Sequence, residues 1–263
     1  MRTTFEVPLS FTEKQVKQSF SNAAQMNGFQ SLIYNSVDRS MTIKYDELIR
    51  RTINSMIGET IYADYSGSSL SGASHVKARN LLYEFKQAYS SYSSLTAADA
   101  IKTPDFLRFA ANEIALAMVH LRSMSSLFNI GGTDKFTPDD LMHVVLLADF
   151  AKGAETYLQS STFHDQLVKL PAAETVPYWQ GSGTDYSFTN CSKVYITTPS
   201  NHSVEAGGIL GVLFDRDALG VANLERRVTT NYNPKAEFFN SWFKFEAGFF
   251  NDTDENFMVF FVA

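Results

Sequence analysis

Phe257-Met-Val-Phe-Phe-Val-Ala263 closes the sequence on seven residues without one charged or hydroxyl side chain. Chain ends usually fray in water. An end this apolar is expected to be buried, as a core strand covered on both faces. The signal extends upstream. Eleven aromatic side chains lie between Tyr232 and Ala263: Tyr232, Phe238, Phe239, Trp242, Phe243, Phe245, Phe249, Phe250, Phe257, Phe260 and Phe261. A stacking platform for bases or sugars would need exposed rings beside basic residues. The neighbours here are Glu237, Glu246, Asp252 and Asp254, so core is the expected role. Phe243, Phe245, Ala247 and Phe249 should face one way, and Trp242, Lys244 and Glu246 the other. The polar run Asn251 to Asn256 should turn the chain into the final strand.

Working back from this end, Lys193–Thr198, Gly208–Phe214 and Arg227–Thr230 read as strands, with Asp215–Gly220 a tight connection. His143–Leu147 reads as a buried strand, and Asp149–Gln159 is helical. Thr175–Ser187 reads as an aromatic, Gly-rich loop. Thr137-Pro-Asp-Asp140 repeats the helix-start signal of Thr103-Pro-Asp-Phe106, where Thr103 caps and Pro104 takes the first position. Phe106, Phe109, Ile114, Met118 and Leu121 would form the inner face of that helix. Thr96–Asp99 caps a short turn, and His75–Tyr89 is helical with Leu81, Leu82 and Phe85 buried. Tyr65–Ala73 is a flexible loop.

The longest helical pattern covers about Asn27 to Tyr62, with apolar residues at Phe29, Leu32, Ile33, Val37, Ile43, Leu48, Ile49, Ile53, Met56, Ile57 and Ile61. No proline lies between Pro8 and Pro104. A continuous helix would be about 50 Å long at ~1.5 Å per residue; a break near Ser40–Thr42 would make two ordinary ones. Before it, Thr12–Gln15 resembles a capping box, with Val16 and Phe20 inward in a short helix. Thr3–Phe11, with Pro8, reads as an edge strand. Helices first, a mixed middle and strands last predict an α+β fold.

The chain has 263 residues, 44% hydrophobic and 14% aromatic, enough for one large domain or two small ones. Charged residues are 19%, below the usual quarter, which points mildly to surface hidden against partners. A formal net charge of -6 argues against a dedicated nucleic-acid binder. The single Cys191 permits no intrachain disulfide and suits a reducing compartment. The start Met1-Arg-Thr-Thr-Phe5 has no apolar signal region, and no window approaches a membrane span. The Asn-x-Ser/Thr triplets at Asn190, Asn201 and Asn251 read as chance matches.

Catalytic signals are weak. Gly181-Ser-Gly-Thr-Asp-Tyr186 begins like a dinucleotide loop, but Tyr186 replaces the third glycine. Asp215 with Asp217, and Asp252 with Asp254 and Glu255, suit turns better than cation sites, and calcium-loop spacing is absent. His75, His120, His143, His164 and His202 lie in five segments, without zinc spacing. His164-Asp165 suggests half of a hydrolase dyad, yet no nucleophile elbow accompanies it. Cys191 reads as a plain small side chain on a polar strand edge. Arg50-Arg51 and Arg226-Arg227 suit solvated faces or subunit ion pairs. No cofactor is implied.

Several longer stretches resemble the major capsid proteins of tailed bacteriophages: Arg2 to Lys17, Arg50-Arg-Thr-Ile-Asn54, Thr156 to His164, Leu170 to Gly183, Ile209 to Val221, Arg226 to Asn240 and the terminal strand. The resemblance covers essentially the whole chain. It implies a structural protein that self-assembles into an icosahedral shell around double-stranded DNA, through hexamers and pentamers. Implied partners are neighbouring capsid subunits, a portal, possible scaffold or decoration proteins, and DNA without sequence-specific contact, with no membrane. The implied location is the virion capsid, and host cytoplasm during assembly. The implied fold places residues 1–64 in a peripheral domain with a long spine helix, 65–220 in a mixed α/β axial domain, and 221–263 back in the peripheral domain, where the final strand is expected to pair with strands from the N-terminal side. Family members carry an N-terminal arm and an extended loop ahead of the spine helix. Arg2–Leu9 is expected to be only the returning strand of that loop, with an unpaired edge and poorer shell closure than a longer chain. Arg2, Phe5, Glu6, Arg50, Arg51, Arg226, Arg227, Trp242 and Phe250 are candidate interface residues. The same fold serves encapsulin-type compartments with protein cargo, an alternative reading. A hydrolase using His164 or His143 is the alternative from another class.

Overall fold

The computed structural model describes residues 2–12, 14, 23–66, 70, 72–160, 173–180 and 185–263. The short helix expected through Val16 and Phe20, the His164-Asp165 pair and Gly181–Thr184 lie outside the described residues. In chain order the elements are β1 (Arg2–Thr12), α1 (Ala23–Tyr65), β2 (Ala78–Asn80), α2 (Leu81–Ala88), α3 (Ala97–Ala100), α4 (Pro104–Leu121), β3 (Met142–Leu147), α5 (Ala148–Ser160), β4 (Glu174–Val176), α6 (Phe188–Cys191), β5 (Val194–Thr197), β6 (Ser203–Ala206), β7 (Ile209–Asp215), β8 (Leu219–Asn233), β9 (Phe238–Asn251) and β10 (Phe257–Phe261). They fall into two compact units. One comprises Met1–Thr52 and Gly220–Phe250, the other Ile53–Leu219 and Asn251–Ala263.

Helix α1 is continuous from Ala23 to Tyr65, without the break considered near Ser40–Thr42. The hydroxyls that made a break plausible are consumed inside the helix. Ser40 Oγ donates to the Ser36 carbonyl at 3.0 Å and Thr42 Oγ1 to the Asp38 carbonyl at 2.8 Å. Thr52 and Thr60 bond back in the same way, at 2.8 Å each. The apolar pattern is not matched by burial in the first half of the helix, where Leu32 is 69% exposed and Ile43 59%. From Leu48 onward, burial spreads around the helix and takes in Thr52, Asn54, Ser55, Met56, Ile57, Thr60 and Ile61.

The first unit is a three-stranded sheet in the order β1-β9-β8. Strands β1 and β9 are antiparallel from Arg2↔Gly248 to Thr12↔Phe238. Burial alternates strictly along β1, as expected for a sheet with one covered face. Val37, Met41 and Leu48 of α1 pack with Phe243, Phe245 and Ala247 of β9 on that face. Phe243, Phe245 and Ala247 therefore point inward together, as their spacing predicts. Strand β8 is longer than the expected Arg227–Thr230.

The second unit is built on a five-stranded sheet in the order β2-β10-β7-β3-β4, beside the two-stranded β5-β6. All five residues of β10 and all seven of β7 are buried. The final strand is thus covered on both faces, as its composition demands. Its partners correct the expectation. It pairs with β7 antiparallel (Phe257↔Phe214, Val259↔Val212) and with β2 parallel, and not with strands from the N-terminal side. The physical reason is visible in β1, whose alternation marks a sheet with a wet face; a strand apolar on both sides needs a sheet covered twice.

Two further expectations change. The segment His75–Tyr89 becomes helical only at Leu81, because Ala78–Asn80 is drawn into the sheet beside β10. Asn80 then caps α2 by accepting from the Tyr83 amide. Thr137-Pro138 opens no helix. The Thr137 hydroxyl accepts from Asn256 Nδ2 at 3.1 Å in the buried interior, and a turn closed by Leu141 N to Pro138 O leads directly into β3. Strand β6 was not anticipated. Leu81, Leu82 and Phe85 are buried as expected, as are Phe106, Ile114 and Leu121.

Phe260 is fully buried, whereas Val119 on α4 is 52% exposed. Phe260→Ala should therefore destabilise the second unit by about 3–5 kcal/mol, while Val119→Ala stays within about 0.5 kcal/mol. Urea denaturation read by tryptophan fluorescence measures both.

Candidate functional site

The candidate interface residues gather mostly on the first unit. Burial alternation puts Glu6, Lys244 and Glu246 on the sheet face away from α1. There Glu246, whose side chain is 12% exposed, forms ion pairs with both Arg2 and Arg227, the latter at 3.6 Å. Lys244 pairs with Glu6 at 3.3 Å. On the face covered by α1, Phe5 stacks on Phe245 with centroids 6.0 Å apart. Arg226 lies over the same Phe245 ring at 5.5 Å and reaches Asp38 of α1 at 3.8 Å. Trp242 is half-buried opposite Pro8. Phe250 lies across Gly220, where an added Cβ would meet its ring at 2.6 Å, yet the ring remains 53% exposed. The structure thus joins Arg2 and Arg227 through Glu246, keeps Glu6 with Lys244, and brings Phe5 and Arg226 to the Phe245 ring.

Arg50 and Arg51 part company. Arg50 pairs with Asp46 one turn earlier at 3.0 Å. Arg51 is exposed and has no counter-ion among the described residues. It lines a groove of about 460 Å³ with Arg2, Phe5, Lys44, Glu47 and Leu48. Lys44 holds Glu47 at 3.0 Å. Lys44 and Glu47 escaped the sequence reading. The signal available was their helical spacing, since positions 44, 47, 48 and 51 share one face of α1.

In the second unit, His143 on β3 is half-buried and stacks on Phe214 at 5.8 Å. Cys191 ends α6 and is buried, which corrects its expected place on a polar strand edge. Burial pushes its thiol up, and Asp149 and Asp185 add to this; the opposite shift would be needed for a nucleophile. Asp215 and Asp252 each use a carboxylate oxygen to accept an amide two residues ahead, at 3.0 and 2.9 Å, as turn-forming aspartates do. Among the described residues no cluster of three or more His, Cys, Asp or Glu side chains could hold a metal ion. No described helix is long and apolar enough to cross a membrane.

One polar contact was unforeseen. Glu59 of α1 receives the Ser200 amide at 3.2 Å and faces His202 Nδ1 at 3.2 Å, while the His202 ring stacks on Tyr62 at 3.6 Å. This ties α1 to the β5–β6 turn. Burial raises the Glu59 carboxyl, but hydrogen bonds from Ser200, Thr198 and His202 outweigh it and hold the group below its ordinary value.

The fold has counterparts among solved phage structures. The capsid structure of Staphylococcus phage Andhra matches with a TM-score of 0.56 at 9% identity, over 99% of this chain and 70% of that one. The structure of head fiber and inner core protein gp22 of native bacteriophage P68 matches with a TM-score of 0.54, also at 9% identity and over 99% and 70% of the two chains. At such identities the likeness is one of fold, the α+β fold of tailed-phage capsids. No curated protein matches the sequence. The model of the Phi29-like phage major capsid protein family matches residues 2–261, and the chain belongs to that family. It is a structural capsid-shell protein.

A carboxyl with a depressed folded-state value stabilises the fold above its unfolded value, and that contribution fades as pH falls through the folded one. Glu59→Gln should cost about 1 kcal/mol near neutral pH, after allowing for solvent screening at a partly open site. The difference from the unsubstituted chain should stay level down to about pH 5 and shrink below about pH 4.3, the ordinary glutamate value. Urea denaturation at a series of pH values checks this.

Proposed function

We propose that copies of this chain close into hexamers and pentamers of an icosahedral head shell that encloses double-stranded DNA. The family match over residues 2–261 carries the reading. In such a shell each contact is heterologous and ring-closing, and stability comes from many moderate interfaces. The role is structural, without catalysis. The unit holding Arg2–Thr52 and Gly220–Phe250 serves as the peripheral domain, with α1 as its spine. The other serves as the axial domain, and Asn251–Ala263 goes with it rather than returning to the periphery. Arg2, Phe5, Glu6, Arg50, Arg51, Arg226, Arg227, Trp242 and Phe250 contribute to contacts between copies. A portal, and scaffold or decoration proteins, complete the head, which assembles in host cytoplasm and ends in the virion. A net charge of -6 suits DNA held without sequence-specific contacts.

Light scattering across a concentration series, followed by electron microscopy, tests the proposal. Scattering should rise above a threshold concentration, with rings or shells in the images. A chain that stays monomeric at every concentration overturns it.

A further inference from the structure

We infer that the groove lined by Arg2, Lys44 and Arg51 receives a carboxylate side chain of a second copy of this chain. The inference rests on the shell-forming role proposed above and specifies one of its contacts.

The groove belongs wholly to the first unit, between β1 and the face of α1 carrying positions 44, 47, 48 and 51. Its floor is apolar, with Phe5, Leu48 and Phe249. Lys44, Glu47 and Arg51 line it as well, beside Arg2, whose guanidinium is turned to Glu246. Glu47 is taken by Lys44, and Arg2 by Glu246. Arg51 is left as an exposed guanidinium with no counter-ion among the described residues. A planar guanidinium over an apolar floor suits a carboxylate on a short hydrocarbon stem, which it can bind through two parallel hydrogen bonds while the stem covers the rings.

Charge complementarity selects the occupant. The chain carries 28 acidic against 22 basic side chains, so every copy presents surplus carboxylates. Asp134, Asp140, Glu225 and Glu237 are exposed and have no salt bridge among the described residues. A duplex phosphate backbone fits less well. It needs a continuous row of cations, whereas this groove offers one unpaired cation beside Glu47, which repels phosphate.

The test uses the full chain, unsubstituted and as Arg51→Glu and Arg51→Lys. Position 51 is exposed, so both variants should keep the thermal unfolding of the parent. Arg51→Glu is expected to raise the threshold concentration for assembly about tenfold or more, a loss of the size measured for one charge-paired contact. Arg51→Lys should still assemble. Carbodiimide, which joins an amine directly to a carboxylate in contact with it, should then link position 51 to an Asp or Glu. Mass spectrometry of mixed isotope-labelled and unlabelled protein should place that carboxylate on another copy. Links within one copy only, or none, overturn the inference whatever Arg51→Glu does. Unchanged assembly of Arg51→Glu beside an assembling parent overturns the groove contact and leaves the shell role standing. Normal assembly of Arg51→Glu with less co-purifying DNA assigns the groove to phosphate and overturns the inference. A parent chain that never assembles removes the shell role and this contact together.

Discussion

The antiparallel pairing of β10 with β7 is the constraint on which the second unit depends. Every residue of both strands is buried, so neither can end a sheet or face water. Strand β3 must flank β7 on one side and β2 must flank β10 on the other, and apolar side chains must cover both faces. The fit is close. Gly211 stands opposite Phe260, and an added Cβ there would come within 2.5 Å of Leu146 Cδ2 and 2.9 Å of the Val145 carbonyl. Buried polar groups are tied into the same frame. Trp179 Nε1 donates to the Ile209 carbonyl at 3.0 Å, and Asn54 Nδ2 donates to the Trp179 carbonyl at 2.8 Å. Asn80 reaches the carbonyls of Gly72 and Ala263 while capping α2. Each bond removes a penalty that an unpaired buried group would impose.

The first unit solves the opposite problem. Its sheet has one covered face and one face left to solvent or to partners, and its aromatic residues divide accordingly. Phe243 and Phe245 are buried under α1, while Phe239 and Phe250 remain open. The polar face is laced with ion pairs that share Glu246 between two arginines. Exposed pairs of this kind add little stability in a single chain.

Much of the candidate site was legible in residue types and little of it in partners. The interest of Arg226-Arg227 and Arg50-Arg51 could be read from the pairing of basic residues. That Arg226 lies over Phe245, that Arg227 shares Glu246 with Arg2, and that Arg51 has no counter-ion among the described residues depend on strand register and helix phase. The Glu59–His202 contact joins residues 143 positions apart in the chain, and no local signal announces it. The Thr137-Pro138 start signal misled for the same reason. A hydroxyl suited to capping a helix was claimed by Asn256, far along the chain.

The sequence by itself determined periodicity and sidedness. A long helical stretch through α1, alternating burial along β1 and β9, and a terminal strand apolar on both faces all follow from local side-chain spacing, because a helix or strand exposes its pattern within a few residues; that α1 runs unbroken past Ser40–Thr42 was left to the structure. Membership of the capsid family was legible too, from stretches spread over the whole chain. Only the tertiary structure decided which strands meet. Phe257–Phe261 could have joined any sheet with two covered faces, and its pattern does not name β7 and β2. Pairing is chosen by long-range complementarity, here a glycine opposite a phenylalanine and backbone ladders between distant segments, and that information exists only when the whole chain has folded.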